Sequence, residues 1–95
     1  MDNVLREVAD ERYRQDAKWG VQNHHPLSWL AILSEEVGEY AMNVCKSEVV
    51  PQPEPFARRS LAMAARRELV QVAAVAVAAI ECMDRLAGAK EAGRE

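Results

Sequence analysis

The chain has 95 residues and a mass of 10.6 kDa, enough for one small domain, which buries only about 60–65% of its unfolded surface. Hydrophobic residues make up 49%, but 16 of them are alanine and 11 valine, against five aromatics, so any core must be built from small side chains packed closely. A formal charge of −3 and a pI near 5.4 exclude a general nucleic-acid binder relying on a basic surface.

Valines recur at spacings of three and four rather than two and lie among alanines, the best helix formers, so the expected fold class is all-α with no strands. The first helix is predicted over residues 2–18, with Asp2 as N-cap and Val4, Leu5, Val8, Gln15 and Trp19 on one face. Gly20 stops it, and residues 21–27, containing Asn23-His24-His25-Pro26, read as a loop. His24 and His25 lack the spaced partners of a zinc site and read as a turn leading into the next helix. The second helix is predicted over 28–46. Pro51-Gln52-Pro53-Glu54-Pro55 then favours extended polyproline geometry, a semi-rigid spacer.

The third helix is predicted over 56–87, ending at Gly88 and followed by a flexible tail, 89–95. Some 30 residues extend roughly 45 Å, so this helix is either broken near Ala62 to Arg67 or runs out to meet another chain. From Leu69 to Ile80 it is apolar on every side apart from Gln71, and two helices from one chain do not cover it. Association into a homodimer or homotetramer is therefore expected. That apolar run has 12 residues, short of the about 20 that span a bilayer. The charged N-terminus lacks a signal peptide's apolar stretch. Cys45 and Cys82 stand 37 positions apart without a C-x-x-C. Both read as reduced, small, buried hydrophobes. A soluble cytoplasmic protein without membrane or nucleic-acid partners is expected.

The second helix carries Glu35-Glu36-Val37-Gly38-Glu39. At 100° per residue, Leu30, Leu33, Val37, Ala41 and Val44 cluster within about 60°, while Glu35, Glu36, Glu39 and Asn43 share the sector from roughly 140° to 240°. A solvated polar face is the simple account. Against it, Trp29 and Ile32 fall inside or beside the acidic sector, and Gly38 costs about 1 kcal/mol in a helix interior unless another backbone approaches there. On the third helix, Leu61, Ala65, Glu68, Val72, Val75, Ala79, Cys82 and Leu86 form one stripe, so Glu68 needs either an edge position or a cation. Arg66, Arg67 or Arg85 is one candidate partner. A divalent ion between the two helices is the other, since these hard oxygen ligands suit Mg²⁺.

Glu35-Glu36-x-x-Glu39, followed after 28 residues by Glu68-x-x-Gln71, resembles the EExxE … ExxD signature of the MazG-like all-α nucleoside triphosphate pyrophosphohydrolases, a group related to dimeric dUTPases. Upstream, Glu11-Arg12-x-x-Gln15-x-x-Lys18-Trp19-Gly20-x-Gln22 and Trp29-Leu30-x-Ile32-Leu33 are similar to its small single-domain members from phages and bacteria. The resemblance covers residues 7–83. It implies an oligomeric helical bundle and Mg²⁺-dependent cleavage of an NTP or dNTP to the monophosphate and pyrophosphate. Glu35, Glu36, Glu39, Glu68 and Gln71 fall on the metal-holding positions. At the last of these the family has an anionic Asp, whereas Gln71 offers only a neutral carbonyl oxygen. On this reading Glu36 or Glu39 is the catalytic base. The candidate substrate-binding residues are Lys18, Trp19, Gln22 and His24 for base or ribose, and Asn43, Lys46, Arg66 and Arg67 for the remainder; Arg66 and Arg67 belong to a basic stretch that also holds Arg58 and Arg59, and Lys46 closes the second helix. Two alternatives stay open: a non-catalytic nucleotide- or metal-binding protein, motivated by Gln71, and a structural oligomerisation module.

Overall fold

The structure, a computed structural model, describes residues 1–49, 51 and 54–93, the last four by backbone alone. They form three helices, α1 (Asp2–Trp19), α2 (Pro26–Glu48) and α3 (Pro55–Gly93), and among the described residues there is no strand. The all-α expectation holds.

Each helix begins and ends for a local reason, and several bounds differ from expectation. Met1, not Asp2, is the N-cap of α1 and makes no side-chain hydrogen bond there; Asp2 lies in the first turn, where its charge suits the helix dipole. Gly20 ends α1 as expected: its φ is 73°, a conformation that strains other residues, and its N–H donates to the Asp16 carbonyl at 2.8 Å. α2 starts two residues before its expected beginning because His25 caps it, Nδ1 accepting from the Leu27 N–H at 3.1 Å. Pro26 fills the first helical position, where its missing N–H costs nothing. The His-His-Pro segment is thus a helix-starting turn.

Pro55 opens α3 in the same way, correcting the expectation that residues 51–55 are wholly non-helical; Gln52 and Pro53 lie outside the described residues. α3 then runs 39 residues without a break, so no interruption occurs at Ala62 to Arg67, and the molecule is 64 Å long. Gly88 does not stop it: among the described residues the one positive φ belongs to Gly20, and the helix continues to Gly93 through what was expected to be a tail. Residues 94 and 95 lie outside the described residues.

α2 and α3 form an antiparallel hairpin around a small core in which Trp29 packs against Val75 and Cys82, with Ala65 and Ala74 also buried. The turned-in face of α2 is not the one its apolar residues mark. Leu30 is 60% and Val37 44% exposed, while Trp29 is 7% exposed and Ile32 and Glu36 are half-buried beside it. Burying the indole, the largest side chain available, rotates α2 so that Glu36 and Asn43 of the acidic sector follow it inward while Glu35 and Glu39 stay exposed. On α3 the stripe holding Ala65, Val75 and Cys82 faces α2 as expected, yet Leu69 and Ile80 stay exposed. Both cysteines are free, Cys82 buried but Cys45 exposed, against expectation.

α1 lies along α3 and runs in the same direction. The Arg66 guanidinium donates to both Glu7 carboxylate oxygens at 2.8 and 3.2 Å, and further along Arg12 meets Glu81 at 2.8–2.9 Å. Val4, Leu5 and Trp19, expected on its buried face, are exposed, and α1 has no fully buried residue. No described Cα of α1 comes within 8 Å of one in α2. The result is a cleft walled by α1 and α2 and floored by α3.

Candidate functional site

Three carboxylates meet where α2 crosses α3. One ligand oxygen from each of Glu36, Glu39 and Glu68 lies within 4.8 Å of the others. Residues 36 and 39 share an α2 face because they are one turn apart, and rotation of that helix brings the face over Glu68. Oε2 of Glu36 and Oε2 of Glu68 are buried without a hydrogen-bond partner. Leaving such groups unpaired is costly.

The electrostatics follow from this crowding. Burial, then the charges of Glu39 and Glu68, raise the Glu36 carboxyl to about 7. Glu39 is also held above the ordinary carboxylate range, chiefly by a carboxyl–carboxyl hydrogen bond with Glu68. None of the arginines proposed as partners of Glu68 reaches it among the described residues. Arg66 is engaged by Glu7, and Arg85 donates to the Gln22 carbonyl at 3.0 Å and to Asn23 Oδ1 at 3.0 and 3.2 Å. Among the described residues the cluster therefore has no ion-pair partner. A divalent cation fits it on two grounds: hard oxygen donors and two orphaned oxygens.

Glu36 also belongs to the cleft between α1 and α2, a cavity of about 350 Å³. Its walls carry Trp19, Gln22 and His24, three of the residues the sequence proposes for a base or ribose, together with Trp29, Arg12 and Arg85. The His24 ring stands edge-on to Trp29, centroids 4.8 Å apart and planes at 79°, and its Nε2 is 3.3 Å from Gln22 Oε1. Cys82 and Arg85 of α3 hold the connecting segment by main-chain carbonyls, the thiol reaching the His24 carbonyl at 3.8 Å. Arg12 is nearly enclosed and donates to Asp16 at 3.1 and 3.4 Å as well as to Glu81.

The other sequence candidates are placed apart. Glu35 is exposed and is not one of the three clustered carboxylates. Gln71 lines a second groove, between α1 and α3, with Glu7, Glu11, Arg14, Arg66 and Arg67. Lys18 sits over the Trp19 ring at 4.8 Å. Asn43 is half-buried one turn past Glu39, and Lys46 is exposed. Arg58, from the basic stretch, pairs with Glu48 at 2.8 Å. Arg12, Trp29 and Arg85 line the cleft without being among the substrate-binding candidates of the sequence. Trp29 had a signal, its place beside the acidic sector; Arg85 stood only as a partner for Glu68, and Arg12 only within the motif that contains it.

No protein-family model, no curated protein and no solved structure matches the chain.

Proposed function

We propose that the chain is a Mg²⁺-dependent nucleoside triphosphate pyrophosphohydrolase, cleaving an NTP or dNTP to the monophosphate and pyrophosphate. The observation that carries this reading is a cluster of three carboxylates with no counter-charge among the described residues, two of them with an orphaned buried oxygen and one, Glu36, lining an aromatic-walled cleft. The resemblance of Glu35-Glu36-x-x-Glu39 and Glu68-x-x-Gln71 to the MazG-like signature names the reaction.

In this reading Glu36, Glu39 and Glu68 hold the cation. Bound there, Mg²⁺ would neutralise phosphate charge and favour attack of water at phosphorus. Glu39, the most open of the three, reaches solvent and takes the proton of the attacking water, while Glu36 and Glu68 fix the ligand charge. The cleft takes the nucleoside: Trp19 offers an exposed stacking face, His24 and Gln22 offer polar edges, and Trp29 closes the bottom. Gln71, on the α1 side of α3, contributes no charge to the cluster.

The test is a panel of NTPs and dNTPs with Mg²⁺, assayed for pyrophosphate against orthophosphate. Pyrophosphate release that disappears in Glu36→Gln and Glu68→Gln supports the reading. Orthophosphate alone, or no release from any nucleotide, overturns it. The weaker alternative of nucleotide binding without turnover predicts a melting shift with Mg²⁺ and nucleotide but no product.

A further inference from the structure

The hydrogen-bonding groups of the cleft are biased toward donors. Two glutamines line it, Gln15 from α1 and Gln22 from the segment that follows, and in both the amide oxygen is already engaged. Arg12 donates to Gln15 Oε1 at 3.5 Å, and its guanidinium is itself fixed by Asp16 and Glu81. His24 Nε2 stands 3.3 Å from Gln22 Oε1, which makes that ring nitrogen the N–H donor. The ring is held edge-on to Trp29, and the Cys82 thiol donates to the His24 carbonyl. Each glutamine thus keeps its NH₂ group for whatever enters the cleft. Arg85 lines the same cleft and donates to the Gln22 carbonyl and to Asn23 Oδ1; among the described residues it has no carboxylate partner. Both Asp16 oxygens accept from Arg12. With Nε2 protonated, His24 Nδ1 is the acceptor that remains on these side chains.

We infer that the cleft selects nucleotides with an oxo base, such as uracil or hypoxanthine, over those with an amino base, such as cytosine or adenine; this rests on the nucleotide reading of the cleft given above. An oxo base sets a carbonyl oxygen beside a ring N–H. The oxygen accepts from the glutamine NH₂ groups, and the ring N–H meets His24 Nδ1. An amino base carries the reverse pattern, with an NH₂ donor where the oxygen would be and a bare ring nitrogen where the N–H would be. Donor then faces donor and acceptor faces acceptor, and a mismatch of this kind costs about tenfold in affinity. The fixed orientations of Gln15 and Gln22 carry the choice, because Arg12 and His24 stop either amide from turning its oxygen inward. The carboxylate cluster takes no part in it.

The test uses substrates that differ in this feature alone. With Mg²⁺ and the full chain, kcat/KM for dUTP over dCTP, and for dITP over dATP, should each be about tenfold. Gln22→Glu puts an acceptor of the same size in place of the donor and should bring both ratios down about tenfold. A variant that merely folds less well lowers the two members of a pair alike and leaves the ratio where it was. Should Gln22→Glu fail to fold, Gln15→Glu makes the same exchange from α1. Ratios within about twofold of unity, a preference for the amino base, or variant ratios equal to those of the wild type overturn the inference. Absence of turnover with every nucleotide overturns the proposed reaction instead. Titration calorimetry with the same nucleotides then reads the base preference as a ratio of Kd values, and equal Kd values, or no binding at all, overturn the inference as well.

Discussion

The two sides of α2 invert the usual relation between polarity and burial. One side turns Glu36 into the protein and leaves its Oε2 unpaired; the other turns Leu30 and Val37 out to solvent. Apolar exposure is tolerated singly, but buried unpaired charge and a contiguous open apolar stripe both mark something missing. What the comparison teaches is that the two departures differ in kind: the inner side crowds carboxylates, which is the basis for proposing a cation there, and the outer side leaves apolar side chains in solvent. Trp29 links the two, because packing its ring against Val75 and Cys82 sets the rotation that produces both deficits.

The comparison breaks most sharply at the inner side. Glu36→Gln should lower kcat on the order of 10²–10³-fold, while raising the Tm of the metal-free protein by about 5 °C, roughly 1 kcal/mol for a domain of this size. A residue in an ordinary structural ion pair would lose stability on the same change, so calorimetry in chelator separates the two accounts.

Next in size is the pH dependence. Glu36 is raised to about 7 in the folded chain from about 4.5 unfolded, so between those values the native state binds more protons and stability falls as pH rises. Below about 4.5 the group makes no difference, and above 7 the metal-free protein bears the full cost. Metal must displace that proton, so the apparent Mg²⁺ or Mn²⁺ affinity should drop about tenfold from pH 8 to pH 6. Titration calorimetry at the two pH values checks this, and a pH-independent affinity would remove Glu36 from the ligand set.

A smaller effect is expected at the far end of the cleft. Arg85 shapes the segment bearing Gln22 and His24 through three hydrogen bonds, so Arg85→Ala should raise KM about fivefold with kcat little changed. The smallest is Gly88→Ala. A Cβ there meets nothing within 4 Å, and the gain in helix propensity is at most about 1 kcal/mol, seen as a modest rise in Tm without change in activity.

Much of this was legible from residue order. The helices announce themselves by spacing and by their stops, since capping and the left-handed Gly20 are local matters. The grouping of Glu36 and Glu39 follows from one turn of helix, and the need of Glu68 for a partner follows from its place in an apolar stripe. The facing of α2 was harder. Its Leu30, Val37 and Ala41 stripe points to a core when only one chain is considered, and the competing claim of Trp29 and Ile32 is decided by the ring's volume, which periodicity does not weigh. Arg12 and Arg85 find partners 69 and 62 positions away. Such contacts exist only after the helices have docked, and no local rule foretells them.

The isolation of α1 has a kinetic consequence. Among the described residues the backbone of this helix comes close to that of α3 and not of α2, it hides no side chain fully, and its ion pairs to α3 are those of Glu7 and Arg12. Contacts of that type at the surface add little to stability, so α1 should be the first part of the molecule to open in native-state hydrogen exchange, its amides exchanging well before those around Trp29 and Val75. One wall of the cleft can thus swing aside and return while the carboxylates stay fixed on the hairpin. If the cleft takes the proposed nucleotide, its admission and the integrity of the carboxylate cluster would be borne by different helices.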